Sequence, residues 1–269
     1  MKKKLLAVFV TVMVCLNNLN AQKTNSVAAA FTGNSDRIEN IAIKKGRFIS
    51  IKRRDGTECR AYAAGPEVAK AGILFVHDYF GITNATKESV ERLGALGYLT
   101  IAVDLYSGKS ATTNDSAKTL MQAMIRNETD RILQSGIDYL KRPGRKLATI
   151  GFSAGGINAM NANLMEPEAF SATIIVYGGS YDKIEKARLD KLKSPVLAIT
   201  GSLDSWPVQA ALNFFTDHKD KSFEMYFYPG ADHGYAQLLY NEGKNFDAEA
   251  TRVTWMLMED FLSRHLKSN

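Results

Sequence analysis

The sequence predicts an α/β fold in which a mostly parallel central sheet is covered by helices on both faces. Its 269 residues are 45% hydrophobic and 10% aromatic, which suits one large folded domain and argues against disorder. Short apolar runs of strand length alternate with segments of helical spacing along most of the chain. This alternation implies right-handed crossovers between parallel strands. We find no internal repeat and no long linker, so we expect one domain over residues 46–269.

Eight segments are predicted to be strands. The first two form a hairpin, with Asp55-Gly56 as its turn. The later segments are mostly continuous apolar runs, as expected of strands buried on both faces. In order, the predicted strands are residues 48–52, 59–63, 71–77, 99–103, 147–150, 172–177, 195–200 and 223–228.

Apolar residues at helical spacing predict the helices between these strands. The first helix has Val90, Leu93 and Leu96 on one side and ends at Gly97. Two more are expected at residues 116–124 and 128–140, and another starts near residue 154. In the helix that closes the chain, we expect four residues to face the core: Val253, Met256, Leu257 and Phe261.

The N-terminus has the layout of a secretory signal peptide. Lysines at positions 2–4 precede an apolar run that is too short to span a bilayer, which needs about 20 residues. We expect cleavage after Ala21, although Leu19 stands where a small residue is preferred, and a polar N-terminal arm over residues 22–45. A lipid anchor on Cys15 is less favoured, because the bulky Val14 precedes it. The sequence therefore predicts an exported protein, periplasmic or secreted, with no stable insertion in a membrane.

The charge of the chain does not favour a nucleic-acid partner. The full sequence has a formal net charge of +6, and residues 1–21 carry three lysines and no acid. The remaining chain has 31 basic and 28 acidic side chains, a formal +3. No stretch interleaves arginines with aromatic residues. Cys59 is then the single cysteine, and its place in a predicted strand indicates a small buried residue rather than a nucleophile.

Residues 151–156, Gly-Phe-Ser-Ala-Gly-Gly, could present a nucleophile between a predicted strand and a helix. In a G-x-S-x-G elbow the serine hydroxyl lies above the edge of the sheet, and Gly151 and Gly155 leave room where a Cβ atom would collide with backbone. The following helix N-terminus directs free N–H groups at developing negative charge. An ordinary glycine-bearing turn is the alternative. The strand before, the helix after and the third glycine favour Ser153 as a nucleophile.

A serine hydroxyl needs a base, and four histidines are available. His218 and His265 are expected at the surface of helices. His77 ends a buried strand but precedes the serine in the chain. His233 lies in a turn just after the last predicted strand, so we expect it to be the base.

The acid that orients this histidine is expected to be Asp204, at the carboxyl end of its strand. Asp232 adjoins His233, but sequence neighbours seldom face each other well enough for that hydrogen bond. Asp104 also ends a strand and could shape the site or cap a turn. Ser153, Asp204 and His233 follow the α/β-hydrolase order, at the carboxyl ends of strands.

An oxyanion hole needs two backbone donors. One is expected from Ala154 and the other from the loop after residues 71–77, at Tyr79 or Phe80, with Tyr79 preferred. The candidates for the substrate pocket are Asp78, Phe80, Asp104 and Tyr106. No cluster has the spacing of metal ligands and no G-x-G-x-x-G follows a strand, so neither a metal nor a cofactor is expected.

The order of these motifs resembles the dienelactone hydrolase family. The resemblance is carried by an acid-aromatic-Gly loop, Asp-Leu-Tyr at 104–106, the elbow, Tyr-Gly-Gly at 177–179 and Pro-Gly-Ala-Asp-His-Gly at 229–234. It covers residues 46–267. It implies a compact α/β-hydrolase acting on lactones or small esters, with Ser153 in the nucleophile position, Asp204 as the acid and His233 as the base. It also implies a contact between Asp78 and the resting nucleophile, where the family often has a glutamate.

Three departures from the family pattern matter. Asp78 is one methylene shorter than the glutamate that the family often has there. The usual nucleophile is cysteine, and serine depends more on its base. The prototype binds a substrate carboxylate with two arginines, where this chain has Gly108 and Gln237. These residues disfavour dienelactone itself as the substrate.

We therefore expect a serine hydrolase that cleaves a small carboxylic ester or lactone through an acyl-enzyme. Only residues 181–194 lie between the strands where lipases often carry a lid, so we expect no large lid and an open site. The alternatives are a non-catalytic α/β-hydrolase scaffold that binds a ligand or partner, and a serine peptidase. The oligomeric state and the acyl and alcohol groups are not predicted.

Overall fold

The computed structural model of the protein describes residues 44–267. The predicted signal peptide, its cleavage site, Cys15 and residues 22–43 of the predicted arm lie outside the described residues. Within 44–267, no helix combines the length and the apolar character that a membrane span needs.

One eight-stranded sheet organises the described residues. The strands are β1 (Arg47–Lys52), β2 (Glu58–Ala64), β3 (Ala71–Val76), β4 (Leu99–Val103), β5 (Lys146–Phe152), β6 (Phe170–Val176), β7 (Val196–Gly201) and β8 (Phe223–Tyr228). Their order in the sheet is β1-β2-β4-β3-β5-β6-β7-β8. The first two neighbouring pairs, β1–β2 and β2–β4, are antiparallel, and all the others are parallel. This confirms the predicted mostly parallel sheet and the α/β-hydrolase class.

Seven α-helices connect or flank these strands in the described part of the chain. They are α1 (Asn84–Ala95), α2 (Asn114–Gln122), α3 (Arg126–Leu140), α4 (Ala154–Met165), α5 (Lys186–Leu189), α6 (Ser205–Asp217) and α7 (Ala248–Leu266). Helix α2 begins two residues before the predicted start, because the Thr113 side chain caps it in a reciprocal capping box with Ser116. Between β6 and β7 there is only a 3-10 turn (Tyr181–Lys183) and the short α5, so no large lid covers the sheet there.

The core lies on both faces of the sheet, as continuous apolar strands require. Along β3, Ile73 and Phe75 point to the face that holds α1 and α7. Leu74 and Val76 point to the opposite face, which holds α3 and α4. Both faces of the central strands are therefore covered by apolar side chains. Polar side chains are found instead at the carboxyl ends of the strands.

Three expectations about burial have different outcomes. Cys59 is buried among apolar side chains, as predicted. The prediction that His218 lies at the surface is wrong: its ring packs on Phe214, with centroids 4.9 Å apart, and only 6% of the residue is exposed. Strand β8 is half-exposed rather than fully buried, because it forms the edge of the sheet.

Candidate active site

Ser153 lies on a strained turn between β5 and α4. Its backbone has φ 50° and ψ −118°, a combination that a residue with a side chain rarely adopts. The turn can form because its neighbours are glycines. A Cβ on Gly151 would lie 2.2 Å from the Gly155 carbonyl oxygen, and one on Gly155 would lie 2.3 Å from that of Val76. The predicted elbow is therefore present, and the steric reason given for its glycines is confirmed.

A chain of hydrogen bonds links the serine to an imidazole and a carboxylate. Ser153 Oγ lies 2.9 Å from His233 Nε2, and His233 Nδ1 lies 2.5 Å from Asp204 Oδ2. Ser153 follows β5, Asp204 follows β7 and His233 follows β8, so three strand ends bring together residues that are distant in sequence. With an ionised Asp204 as its partner, Nδ1 carries the imidazole proton and Nε2 can accept from the serine hydroxyl.

Asp232 lies beside His233 but does not contact its ring. Its Oδ1 accepts from the backbone N–H of His233 at 2.7 Å, and Asn245 Nδ2 donates to the His233 carbonyl at 2.9 Å. These two bonds hold the turn that carries the imidazole. Asp204, and not the adjacent Asp232, is therefore the carboxylate that bonds to the His233 imidazole.

Aromatic rings surround the imidazole on three sides. The ring centroids of Tyr240, Tyr177 and Trp206 lie 5.0, 5.5 and 5.9 Å from that of His233. The Trp206 indole lies against Gly179, where a Cβ would be 2.5 Å from it, and its Nε1 donates to Ser180 Oγ at 3.3 Å. The His233 side chain is only 15% exposed as a result.

The two backbone N–H groups expected in the oxyanion hole belong to Tyr79, in the loop after β3, and to Ala154, at the start of α4. Gly81, with φ +88°, turns the loop after β3, and the Tyr106 hydroxyl donates to the Tyr79 carbonyl at 3.2 Å. The N–H of Phe80 donates to Asp78 Oδ1 at 2.9 Å, which removes Phe80 as an alternative donor. Within residues 44–267, neither the Tyr79 N–H nor the Ala154 N–H has a protein acceptor.

Asp104 and Phe80 support the loops around the site rather than line it. Asp104 accepts from the N–H groups of Tyr106 and Gly108, so it caps its own turn, which was one of the two expectations for it. Phe80 is fully buried with Ala111 and Ala117, so its side chain anchors the loop instead of facing a substrate.

His77 links the loop after β3 to the loop after β4. Its Nδ1 lies 2.6 Å from the Asp78 carbonyl, and its Nε2 accepts from the Leu105 N–H at 3.3 Å. The carbonyl can only accept, so Nδ1 carries the proton and the imidazole is neutral. Complete burial lowers the pKa of His77, which favours the same neutral form. His77 is thus a structural link, away from the Ser153 hydroxyl.

A comparison with known proteins agrees with the geometry of the site. A model of the dienelactone hydrolase family matches residues 59–266 of this chain. The chain belongs to the dienelactone hydrolase family. Membership of this family makes the protein a carboxylic ester hydrolase.

Individual relatives are distant in sequence, and a solved structure of low identity has a similar fold. Protein usf of Aquifex pyrophilus is 28% identical over 171 residues, which cover 60% of this chain and 73% of that protein. Carboxymethylenebutenolidase 1 of Cupriavidus pinatubonensis is 23% identical over 220 residues, 76% of this chain and 91% of the relative. The crystal structure of a dienelactone hydrolase-like promiscuous phosphotriesterase from metagenomic libraries has a TM-score of 0.69, with 21% identity, and covers 83% of this chain and 100% of that one.

One expectation carried by the family resemblance is not met. Asp78 was expected to contact the resting nucleophile, but the Ser153 hydroxyl bonds to His233 instead. Both oxygens of Asp78 are occupied elsewhere, Oδ1 by the Phe80 N–H and Oδ2 by Gln237 Nε2 at 2.7 Å. Aspartate is one methylene shorter than the glutamate that the family often has there, so its carboxylate reaches less far toward Ser153. Burial raises the pKa of Asp78, and its two hydrogen bonds oppose that shift.

Three residues for which the sequence predicts no role lie at the site. Trp206 follows Asp204 by two positions on α6, Tyr177 begins the Tyr-Gly-Gly motif, and Tyr240 lies in a 3-10 turn. Of the three, Tyr177 carries a sequence signal, because it begins the Tyr-Gly-Gly motif. Trp206 and Tyr240 had none, because contact with His233 depends on how separate loops pack.

Proposed function

We propose that the protein hydrolyses a small carboxylic ester or lactone through an acyl-enzyme, with Ser153 as the nucleophile. In this proposal His233 is the general base and acid, and Asp204 orients it. The observation that carries the proposal is the continuous hydrogen-bonded chain from Ser153 Oγ through His233 to Asp204. The strained backbone of Ser153 adds support, because such strain is typical of a nucleophile elbow.

The acylation step follows from this arrangement. Ser153 Oγ attacks the carbonyl carbon of the ester while its proton passes to His233 Nε2. The Tyr79 and Ala154 N–H groups stabilise the oxyanion, and each such donor is worth about 10²–10³ in rate. The bond to the alcohol oxygen then breaks, and the imidazolium returns the proton to the leaving alkoxide. Asp204 stabilises the imidazolium throughout.

Deacylation repeats the same steps with water. His233 Nε2 takes a proton from water, whose oxygen attacks the acyl carbon. The Ser153 ester bond breaks, the proton returns to Oγ, and the carboxylic acid leaves. Because no large lid covers the sheet, small and soluble esters are favoured over emulsified long-chain lipids, and preferred turnover of emulsified triglyceride would contradict this choice.

The proposal is tested with a panel of small esters and lactones on the wild-type protein and on Ser153→Ala. We expect the variant to lose at least about 10³-fold in kcat, because removal of one member of a triad disables the whole unit. A fluorophosphonate probe should label the wild type and not the variant. Equal activity in both proteins, or neither activity nor labelling in the wild type, would overturn the serine mechanism.

A further inference from the structure

One buried hydrogen bond joins two loops that carry proposed catalytic groups. The β3 loop (residues 77–83) carries an oxyanion donor, and the β8 loop (residues 229–247) carries the base. Between them, Gln237 Nε2 donates to Asp78 Oδ2 at 2.7 Å, across 159 positions of the sequence. Within residues 44–267, no other hydrogen bond connects these two loops. The polar link between the two loops is therefore concentrated in one pair of side chains.

On the β8 loop, every polar group of Gln237 has a partner. Its N–H donates to the Gly234 carbonyl at 2.8 Å, and its own carbonyl accepts from the Tyr240 N–H at 3.3 Å. Its Oε1 accepts from the Leu239 N–H at 3.2 Å, which leaves Nε2 as the atom that faces the β3 loop. Gly234 directly follows His233, so the backbone of Gln237 belongs to the turn that carries the imidazole.

On the β3 loop, Asp78 holds the other end of the bond. It is 6% exposed, and its Oδ1 accepts from the Phe80 N–H at 2.9 Å. Tyr79 lies between these two residues in the sequence, so a shift of the Asp78 side chain moves the Tyr79 N–H. Both bonds need acceptor oxygens and make no demand on the charge of the carboxyl group.

Other contacts of the β3 loop do not replace this bond. The Tyr106 hydroxyl and the Leu105 N–H link it to the loop after β4 and not to the β8 loop. The rings of Tyr79 and Tyr240 do meet between the β3 and β8 loops, with centroids 6.2 Å apart and planes at 53°. A ring contact is less directional than a hydrogen bond, so it fixes the separation of the loops less closely.

We propose that Asp78 and Gln237 are positioning residues, whose hydrogen bond sets the distance between the oxyanion donor of the β3 loop and the imidazole of the β8 loop. The inference rests on the proposed serine hydrolase function. In the tetrahedral intermediate the oxyanion must lie near the Tyr79 N–H while the leaving oxygen lies near His233 Nε2. A misplacement of about 1 Å between such groups can cost about 10²-fold in rate.

Exchanging the two functional groups tests the bond itself. In Asp78→Asn the new amide meets the amide of Gln237, so one N–H donor always faces another donor. In Gln237→Glu two carboxyl groups face each other. The double variant Asp78→Asn/Gln237→Glu restores the bond in the opposite direction, with the shape and formal charge of the wild type. The Phe80 and Leu239 N–H groups keep oxygen acceptors in it.

The first readout is kcat for phenyl acetate per active site, with the sites titrated by a fluorophosphonate so that misfolded protein is not counted. We expect each single variant to lose at least about tenfold in kcat, with KM changed less than about threefold. The double variant should recover to within about threefold of the wild type. Gln237→Met, which removes the donor without adding a charge, should behave like the other single variants.

The second readout reports on the oxyanion donors. In the thionoester of phenyl acetate, sulfur replaces the carbonyl oxygen and accepts hydrogen bonds more weakly, so well-placed donors favour the oxygen ester. This preference, normalised to alkaline hydrolysis, should fall in the single variants and return in the double variant. A residue that only stabilises the fold would leave it unchanged.

Ser194→Ala is the control, because it removes a buried hydrogen bond at the opposite end of the sheet, where Asn163 Nδ2 donates to Ser194 Oγ at 2.7 Å. It should lower the free energy of unfolding and leave both readouts as in the wild type. Single variants as active per site as the wild type, or a double variant no better than they are, would overturn the inference and leave the serine mechanism intact. Absence of phenyl acetate hydrolysis and of labelling in the wild type would instead be a failure of the proposed function.

Discussion

At the scale of single residues, the backbone of Ser153 shows how a site stores strain. A non-glycine residue at φ 50° is unfavourable by about 1–3 kcal/mol. The surroundings hold it there, since the Ser153 N–H donates to the Val176 carbonyl at 2.9 Å and the Gly156 N–H donates to the Ser153 carbonyl at 2.9 Å. Both bonds would be lost if the turn relaxed. The strain is therefore maintained by the end of β6 and the first turn of α4.

His77 makes a residue-scale prediction about acid stability. Its pKa is lowered from 6.5 by burial, so the unfolded chain binds this proton more readily than the folded protein. The neutral imidazole contributes to the free energy of unfolding in full above pH 6.5. As the pH falls below 6.5 this contribution is lost, at a rate of at most about 1.4 kcal/mol per pH unit. We expect His77→Asn, which keeps a donor toward the Asp78 carbonyl, to remove this part of the pH dependence. Urea unfolding between pH 7.5 and pH 5 measures it.

His265→Gln is the comparison for this experiment. The pKa of His265 is also lowered, by burial and by Arg264, but that residue is only partly buried. Replacing His265 should change the slope of the free energy of unfolding against pH in the same direction as His77→Asn does, but by a smaller amount. Identical slopes in the wild type and His77→Asn would show that His77 titrates equally in the folded and unfolded states. The raised pKa of Asp78 acts in the opposite sense, so the comparison between proteins is the readout, not the absolute slope.

At the scale of elements, α7 shows where helical periodicity misleads. The predicted inward residues were Val253, Met256, Leu257 and Phe261; Phe261 is buried, and the other three are only half-buried. The buried residues of α7 are Ala250, Thr254, Trp255, Met258, Phe261, Leu262 and Leu266. Thr254 is polar, so the apolar pattern of the sequence did not indicate that this side of the helix is buried. It is accepted in the core because its hydroxyl lies 2.6 Å from that of Tyr235, and a buried hydroxyl needs such a partner.

Two methionines on α7 give a matched test of this orientation. Met258 is completely buried and Met256 is half-buried, two residues away on the same helix. We expect Met258→Ala to reduce the free energy of unfolding by about 2–4 kcal/mol, because it leaves a cavity. Met256→Ala should cost less than about 1 kcal/mol. Urea denaturation of both variants decides the matter, and similar losses in the two would mean that the helix is rotated from the position described.

At the scale of the whole molecule, the sheet order assembles the site. Ser153 and His233 are 80 residues apart in sequence, and Asp204 and His233 are 29 apart. Strands β5, β6, β7 and β8 are parallel neighbours, so their carboxyl ends meet at one edge of the sheet. Loops after those ends can then bring a hydroxyl, an imidazole and a carboxylate within hydrogen-bonding distance. Helices on both faces of the sheet connect these parallel strands.

The N-terminal segment makes a prediction about the whole chain. Export should remove residues 1–21, so the mature protein should begin at Gln22 and carry a lower net charge than the full sequence. Intact-mass measurement of protein recovered from the periplasm or medium of an expressing bacterium tests this. Leu19→Ala should improve cleavage, and Cys15→Ser should be exported as well as the wild type. Retention of the full-length chain in the cytoplasm, or a lipid attached to Cys15, would contradict the prediction.

Much of the fold could be predicted because its signals are local. Every predicted strand has a counterpart in the sheet, since continuous apolar runs such as that of β3 report burial on both faces. Element ends were less accurate, as at α2, where the Thr113 cap decided the start. The burial of His218 could not be predicted, because it depends on the position of Phe214 within the packed core and not on neighbouring sequence.

By itself the sequence determined the α/β class, the elbow around Ser153 and the resemblance to a family, because each depends on periodicity or on glycines at fixed spacing. Only the tertiary structure decided which carboxylate lies against His233, that Phe80 donates its N–H to Asp78, and that Asp78 turns toward Gln237. Those outcomes depend on distances between side chains from separate strands and loops. Such distances are set by packing of the sheet and its loops, and no local pattern encodes them.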